Sequence, residues 1–193
     1  MPSLPPKSGK KSDPPSPLVL SRRTPTLFVD FDGTLHVGRA LIDERGAITL
    51  DSGRPLLEFA PLLVELLEPY PSVEIVLTTS WLQKLPTDEV ISYLPQALAR
   101  RVVDTTRDIK ARLSYVLNGS ERTYIISSYA YNKRLQNWLA IDDSVYGAYH
   151  FGRKPGELLE HFLLLDAARG ISDIGARQHI REWLTNVQPN HDS

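Results

Sequence analysis

Two hydrophobic periodicities alternate along the chain. Short apolar runs at Thr26–Phe31 (TLFVDF), Val73–Thr78 (VEIVLT) and Trp138–Ile141 (WLAI) have the near-continuous hydrophobicity of strands buried on both faces. Arg101–Val103 and Phe162–Leu165 are shorter strand candidates. Between them, apolar residues recur at helical spacing. This predicts helices over Pro55–Leu67, Thr87–Leu94, Arg107–Leu117, Glu121–Asn132, Glu157–Phe162 and Ser172–Val187, the last with Ile174, Ile180, Trp183 and Leu184 on one face. Residues 36–52 fit neither period. Gly38, Gly46 and Gly53 mark turns there, and the segment reads as a small hairpin or flap. Strands alternating with helices predict an α/β domain with a parallel sheet.

Composition narrows the classes. The 193 residues suffice for one domain, and the net charge of −1 leaves no global basic footprint for nucleic acid. Without cysteine there is no disulfide, thiolate metal site or thiol nucleophile. No apolar run is long enough to span a membrane. Proline is concentrated at the start, with seven of the 15 in residues 1–25, alongside Lys7, Lys10, Lys11, Arg22 and Arg23 against the single acid Asp13. We expect residues 1–25 to be a disordered basic tail, 26–188 the folded domain and 189–193 a flexible end. The apolar stretch Leu18–Leu20 is too short for a secretory signal, so the cytoplasm is the expected compartment.

The chemistry collects where the strands end, which is where open α/β sheets bind ligands. The first strand runs into Asp30-Phe31-Asp32-Gly33-Thr34, the second into Thr78-Thr79-Ser80-Trp81, and the third into Asp142-Asp143-Ser144. Four carboxylates at one sheet edge repel one another unless a cation offsets them. With oxygen ligands alone, a hard divalent cation such as magnesium is the natural counter-charge, commonly alongside phosphate. Asp30 and Asp32 stand two residues apart in extended chain, so both can face one phosphate.

LFVDFDGTL, residues 27–35, resembles the first motif of the haloacid dehalogenase (HAD) superfamily of phosphatases, a hydrophobic strand followed by Asp-x-Asp-Gly-Thr. EIVLTTSW and WLAIDDS extend the resemblance in the family's order across roughly residues 26–144. The stretch 163–184 is also similar to a group of small bacterial HAD-like proteins associated with RNA repair. The resemblance implies a Rossmann-like α/β domain with a parallel sheet flanked by helices, a small flap and no cap domain. It implies a Mg2+-dependent phosphatase working through an aspartyl-phosphate. Asp30 would be the nucleophile and Asp32 the general acid and base. Thr79, or Thr78 if the strand register shifts by one, would bind the phosphoryl group beside Ser80. Gly33 would allow the sharp turn, and Thr34 would hold it through its side chain. Magnesium would be held by Asp30, the backbone carbonyl of Asp32, Asp143 and, directly or through water, Asp142. Arg122 or Lys133 would neutralise the phosphoryl charge.

Other residues read as structural. His36 is expected on a surface loop, and Trp81 and Trp138 in the packing. His150, His161, His179 and His191 show no metal spacing. Arg153-Lys154-Pro155-Gly156 reads as a loop that could receive a phosphate. About 20 residues between Leu35 and Pro55 leave room for a flap and no helical cap. An open site admits large phosphorylated substrates, nucleic-acid ends among them, without a membrane partner. The alternative is a non-catalytic module that keeps a phosphate pocket for recognition.

Overall fold

The computed structural model describes residues 22–188. Among these lie strands β1 (Thr26–Val29), β2 (Ala40–Ile42), β3 (Ile48–Leu50), β4 (Glu74–Leu77), β5 (Val102–Thr105), β6 (Trp138–Asp142) and β7 (Phe162–Leu164). The α-helices are α1 (Ala60–Leu67), α2 (Thr87–Ser92), α3 (Gln96–Ala99), α4 (Leu113–Leu117), α5 (Glu121–Asn132) and α6 (Ile174–Val187). Five strands form one parallel sheet in the order β5-β4-β1-β6-β7. β1 and β6 are buried at every residue, as their unbroken apolar runs require. β2 and β3 form a separate antiparallel hairpin, the flap expected between 36 and 52. The chain is thus a Rossmann-like α/β domain, with no cap domain among the described residues.

Strand alternation sorts the core into two faces. Leu27, Val29, Ile75, Leu77, Leu139 and Ile141 pack with Leu63 and Leu67 of α1 and Ile180 and Leu184 of α6. Phe28, Val76 and Ala140 point the other way, onto Ile126, Tyr129 and Ala130 of α5. Each fully buried leucine or phenylalanine contributes roughly 1.5–3 kcal/mol relative to exposure, and these contacts fix the helices over the sheet.

Three predicted helices fall short by five α-helical residues or more, and those ending at Ser92 and beginning at Ile174 by two. The segment 55–67 becomes helical only at Ala60. Pro61 cannot donate inside a longer helix and fits only near a helix start. Leu57 stands in the left-handed region (φ 51°), and Phe59 N–H bonds Leu35 O. Residues 107–112 are irregular because Arg107 is drawn away, its guanidinium bonding Thr87 Oγ1 at 3.0 Å and the carbonyl of Leu85. Of 157–162, only the 3-10 turn Leu159–His161 forms. The four-residue α3 follows Pro95 and was not foreseen. Arg22–Pro25, assigned above to the tail, already join the domain. Gln136 N–H bonds Arg22 O at 3.1 Å, Asn137 Nδ2 bonds Arg23 O at 2.8 Å, and Glu74 N–H bonds Pro25 O at 2.9 Å. The rest of the expected tail, and residues 189–193, lie outside the described residues. No described helix is long and apolar enough to cross a membrane.

Candidate active site

Sheet register assembles the site. Val29 pairs with Leu77 on one side and Ile141 on the other. One residue further, Asp30 lies between Thr78 and Asp142. The hydrogen bonds Thr78 N–H to Val29 O (3.0 Å) and Asp30 N–H to Ile141 O (3.4 Å) continue the ladder. Alternation puts these three residues on the face covered by α5. α5 begins at this edge of the sheet and delivers Arg122 from its first turn.

Ligand oxygens of Asp30, Asp142 and Asp143 lie within 4.8 Å of one another. Arg122 Nε is 3.3 Å from Asp142 Oδ2, and its Nη2 is 4.0 Å from Asp30 Oδ1. Burial, then the neighbouring carboxylates, hold the Asp30 carboxyl well above its ordinary range. Asp142 is raised by burial, although Arg122 and Ser144 pull against it. Asp143 is pushed up to about 6 by burial and by Asp142. Burial disfavours the Arg122 charge, but Asp30 and Asp142 outweigh it and hold the guanidinium protonated. Such a cluster is short of positive charge. Asp142 Oδ2 is buried without a hydrogen-bond partner, while its Oδ1 accepts from Ser144 N–H (2.8 Å) and Ser144 Oγ (2.7 Å). An oxygen-only donor set of three mutually repelling carboxylates, with one guanidinium among them, fits a hard divalent cation.

Asp32 sits differently. Its Oδ1 accepts from Trp81 Nε1 at 2.8 Å and from His36 Nε2 at 3.0 Å, and its Oδ2 from Ala40 N–H at 3.1 Å. Burial pushes the carboxyl up, but these bonds prevail and its pKa lies below the ordinary value. His36 is completely buried and not on a surface loop. Leu57 N–H donates to its Nδ1 at 3.2 Å, which leaves Nε2 to carry the proton toward Asp32. The left-handed backbone of Leu57 aims that N–H. Trp81 packs against Phe31 and also serves the site through its indole N–H. The sequence held no signal for either role, because both depend on how the chain returns after the first turn.

The other predicted residues divide. Thr78 Oγ1 is buried without a hydrogen-bond partner on the side of Asp30. Thr79 Oγ1 instead accepts from Trp81 N–H at 3.3 Å and caps the 3-10 turn Ser80–Gln83, whose first residue, Ser80, is exposed. Gly33 has φ 69°, and a Cβ there would overlap Asp143 Oδ2. Thr34 does not hold its turn through its side chain, because its Oγ1 has no partner. Thr34 N–H and Leu35 N–H both bond Phe31 O instead (3.1 and 2.9 Å), and Thr34 O accepts from Ile171 N–H (3.0 Å). Lys133 is not brought to the site. It ends α5, about 17 Å along the helix from Arg122 at ~1.5 Å per residue. There it pairs with Asp104 at 3.6 Å and lies over the Tyr129 ring.

A family model described as the HAD domain in Swiss Army Knife RNA repair proteins matches residues 26–176. No curated protein matches the chain, and no solved structure does.

Proposed function

The chain belongs to this family of HAD domains of Swiss Army Knife RNA repair proteins, and from that premise we propose that it is a phosphatase that hydrolyses a phosphomonoester, at the end of a nucleic-acid strand, through an aspartyl-phosphate. The observation that carries the proposal is the row Thr78–Asp30–Asp142 under Arg122, with Asp143 alongside. In this reading Asp30 is the nucleophile, Thr78 the hydroxyl donor and Arg122 the cation, all directed at one phosphoryl group.

Asp30 Oδ attacks phosphorus, the bond from phosphorus to the leaving oxygen breaks, and Asp32 gives that oxygen a proton. Asp32, now a carboxylate, then takes a proton from water. The resulting hydroxide attacks phosphorus, and the acyl phosphate breaks to free Asp30 and phosphate. Arg122 and Thr78 Oγ1 stabilise charge on the non-bridging oxygens. Asp30, Asp143, the Asp32 carbonyl and Asp142 would hold Mg2+, which when bound supplies positive charge to the phosphoryl oxygens. Asp32 rests as a carboxylate in its three hydrogen bonds. A phosphate dianion beside it raises its pKa, so the proton it donates is acquired together with substrate. The flap leaves the mouth without a domain-sized cover, which suits a substrate larger than the pocket.

Hydrolysis of an aryl phosphate and of a 5′- or 3′-phosphorylated oligonucleotide tests this, with wild type and Asp30→Asn, in Mg2+ and in chelator. We expect turnover only in wild type with Mg2+, and acid-stable label from 32P-substrate only when Asp30 is present. Turnover that survives Asp30→Asn overturns the mechanism. The ionised state of Asp32 also favours a second reading, a phosphate-binding module without turnover. Phosphate binding by calorimetry, with no hydrolysis of either substrate, is its signature.

A further inference from the structure

Away from the carboxylates, the structure holds a cleft of about 830 Å3 between α5 and the segment 151–161, within the size range of small-molecule sites. One wall is a single stripe of α5. Tyr124, Ser127, Ser128 and Tyr131 recur at helical spacing and line it, turned away from the core residue Ile126. Trp138 forms the floor, and Phe151 and His161 come from the other wall. Flat faces dominate. Tyr115 stacks on Tyr124 at 4.5 Å and 22°, Phe151 tilts against Tyr115 at 5.5 Å, and His161 stacks on Trp138 at 4.3 Å and 9°. Tyr131 is 61% exposed, a large aromatic surface left in water at the cleft's far end.

The cleft's charge selects among occupants. Arg153 is the cation in its lining, against the carboxylates of Glu157 and Glu160. Glu157 is engaged by the backbone N–H groups of Arg153 and Lys154. The lining therefore does not favour a run of phosphates. It favours uncharged rings with polar edges, which can stack on the aromatic faces and bond to the hydroxyl and amide groups of Ser128, Asn132 and Gln136. α5 carries Arg122 in its first turn and, on another face, the cleft's stripe beginning at Tyr124, so a single strand with its end at the carboxylates can reach both by crossing the helix. From there its stripe runs about 12 Å to Asn132, at ~1.5 Å per residue.

We propose that this cleft is a base-binding subsite, which stacks the unpaired nucleobases next to a phosphorylated strand end held at Asp30. The inference rests on the phosphatase reading of that end and adds what selects the substrate: single-stranded nucleic acid, gripped by its bases. The strand's phosphates pass outside the cleft, so bases supply the contact and sequence preference is weak.

Fluorescence anisotropy tests it with the full chain and a short single-stranded RNA, unphosphorylated, so that binding is read without turnover. The variants are Tyr131→Ser, Tyr131→Phe and the double variant Tyr124→Leu/Tyr131→Ser, with hydrolysis of an aryl phosphate measured on the same samples. We expect the double variant to bind the RNA about tenfold more weakly, as expected for lost base–aromatic stacking. Tyr131→Phe keeps the ring and binds as wild type, the same sequence in duplex form binds more weakly, and aryl phosphate turnover is unchanged throughout. RNA affinity unaltered in the double variant overturns the proposal, as does a cleft that binds a proline-rich peptide and excludes the RNA. Cleft-dependent RNA binding in a protein that hydrolyses no phosphate supports the subsite and overturns the phosphatase reading, so the two fail separately.

Discussion

Asp32 and Asp30 stand two residues apart and live under opposite conditions. Asp30 is crowded by acids, whereas Asp32 is surrounded by donors. His36 is the donor with the most to lose, because its tautomer is fixed by Leu57 N–H. Replacing it with alanine leaves Asp32 held only by Trp81 and Ala40 and removes one of the two donors to Oδ1. We expect His36→Ala to lower kcat by about 10- to 100-fold, the usual cost of losing a residue that orients a site group, with KM little changed. Asparagine, which can still donate, should recover part of that loss, and steady-state kinetics on both variants would decide. The choice between two basic residues, open in the sequence, also belongs to this scale: Arg122 lies among the carboxylates and Lys133 pairs with Asp104. Arg122→Ala should reduce kcat by ~10²–10³-fold, as for other lost donors to transition-state charge. Lys133→Ala, which removes only a surface pair, should stay within about twofold. A larger loss at Lys133 would move the charge-neutralising role there.

Turns and helices set how much of this was legible. The three central strands could be read because fully buried parallel strands write themselves as apolar runs, and the chemistry follows directly at their ends. α5 was read to the residue, since its inner face alternates at helical spacing and Gly119 stops the chain before it. The start of α1 was misread because the tie from Leu57 to His36 is a tertiary contact that overrides local propensity. The choice between Thr78 and Thr79 needed one residue of register, which only the pairing of β4 with β1 supplies. The turn after β1 makes its own prediction. In Gly33→Ala, the added methyl meets Asp143 and the backbone is held at a φ that L-residues disfavour. Gly46→Ala, at the flap tip with open space around it, bears only the conformational cost of roughly 1 kcal/mol. Calorimetry should find Mg2+ binding weakened at least tenfold in the first variant and preserved in the second.

The carboxylate cluster also governs the stability of the whole chain. Asp143 titrates near 6 folded against an ordinary 3.8, and Asp30 and Asp142 are displaced in the same direction. An acid with a raised folded pKa binds its proton more tightly in the native state. Its stabilising contribution is complete below the unfolded value and is lost as pH rises through the folded one. Without divalent cation, the protein should therefore lose stability as pH climbs from about 4 through about 6. Mg2+ reverses the loss by binding the ionised form, so the Tm gain it produces should grow across that window. Thermal melts with and without Mg2+ at several pH values test this. A Tm gain independent of pH would mean the cation binds elsewhere.

The bond from Ala40 N–H to Asp32 Oδ2 joins the first strand of the flap to the carboxyl proposed to handle the proton. A neutral carboxyl accepts a hydrogen bond more weakly than a carboxylate, so the grip on the flap loosens when Asp32 takes up a proton and tightens when it gives it away. If Asp32 is the general acid and base, we expect the chemical step and the mouth of the site to keep time with one another. The mouth is slackest while Asp32 is protonated and firmest while it is charged. A dye placed at Glu44, on the exposed turn between the flap strands, would thus follow the reaction as a clock hand follows its escapement, reporting a proton it never touches.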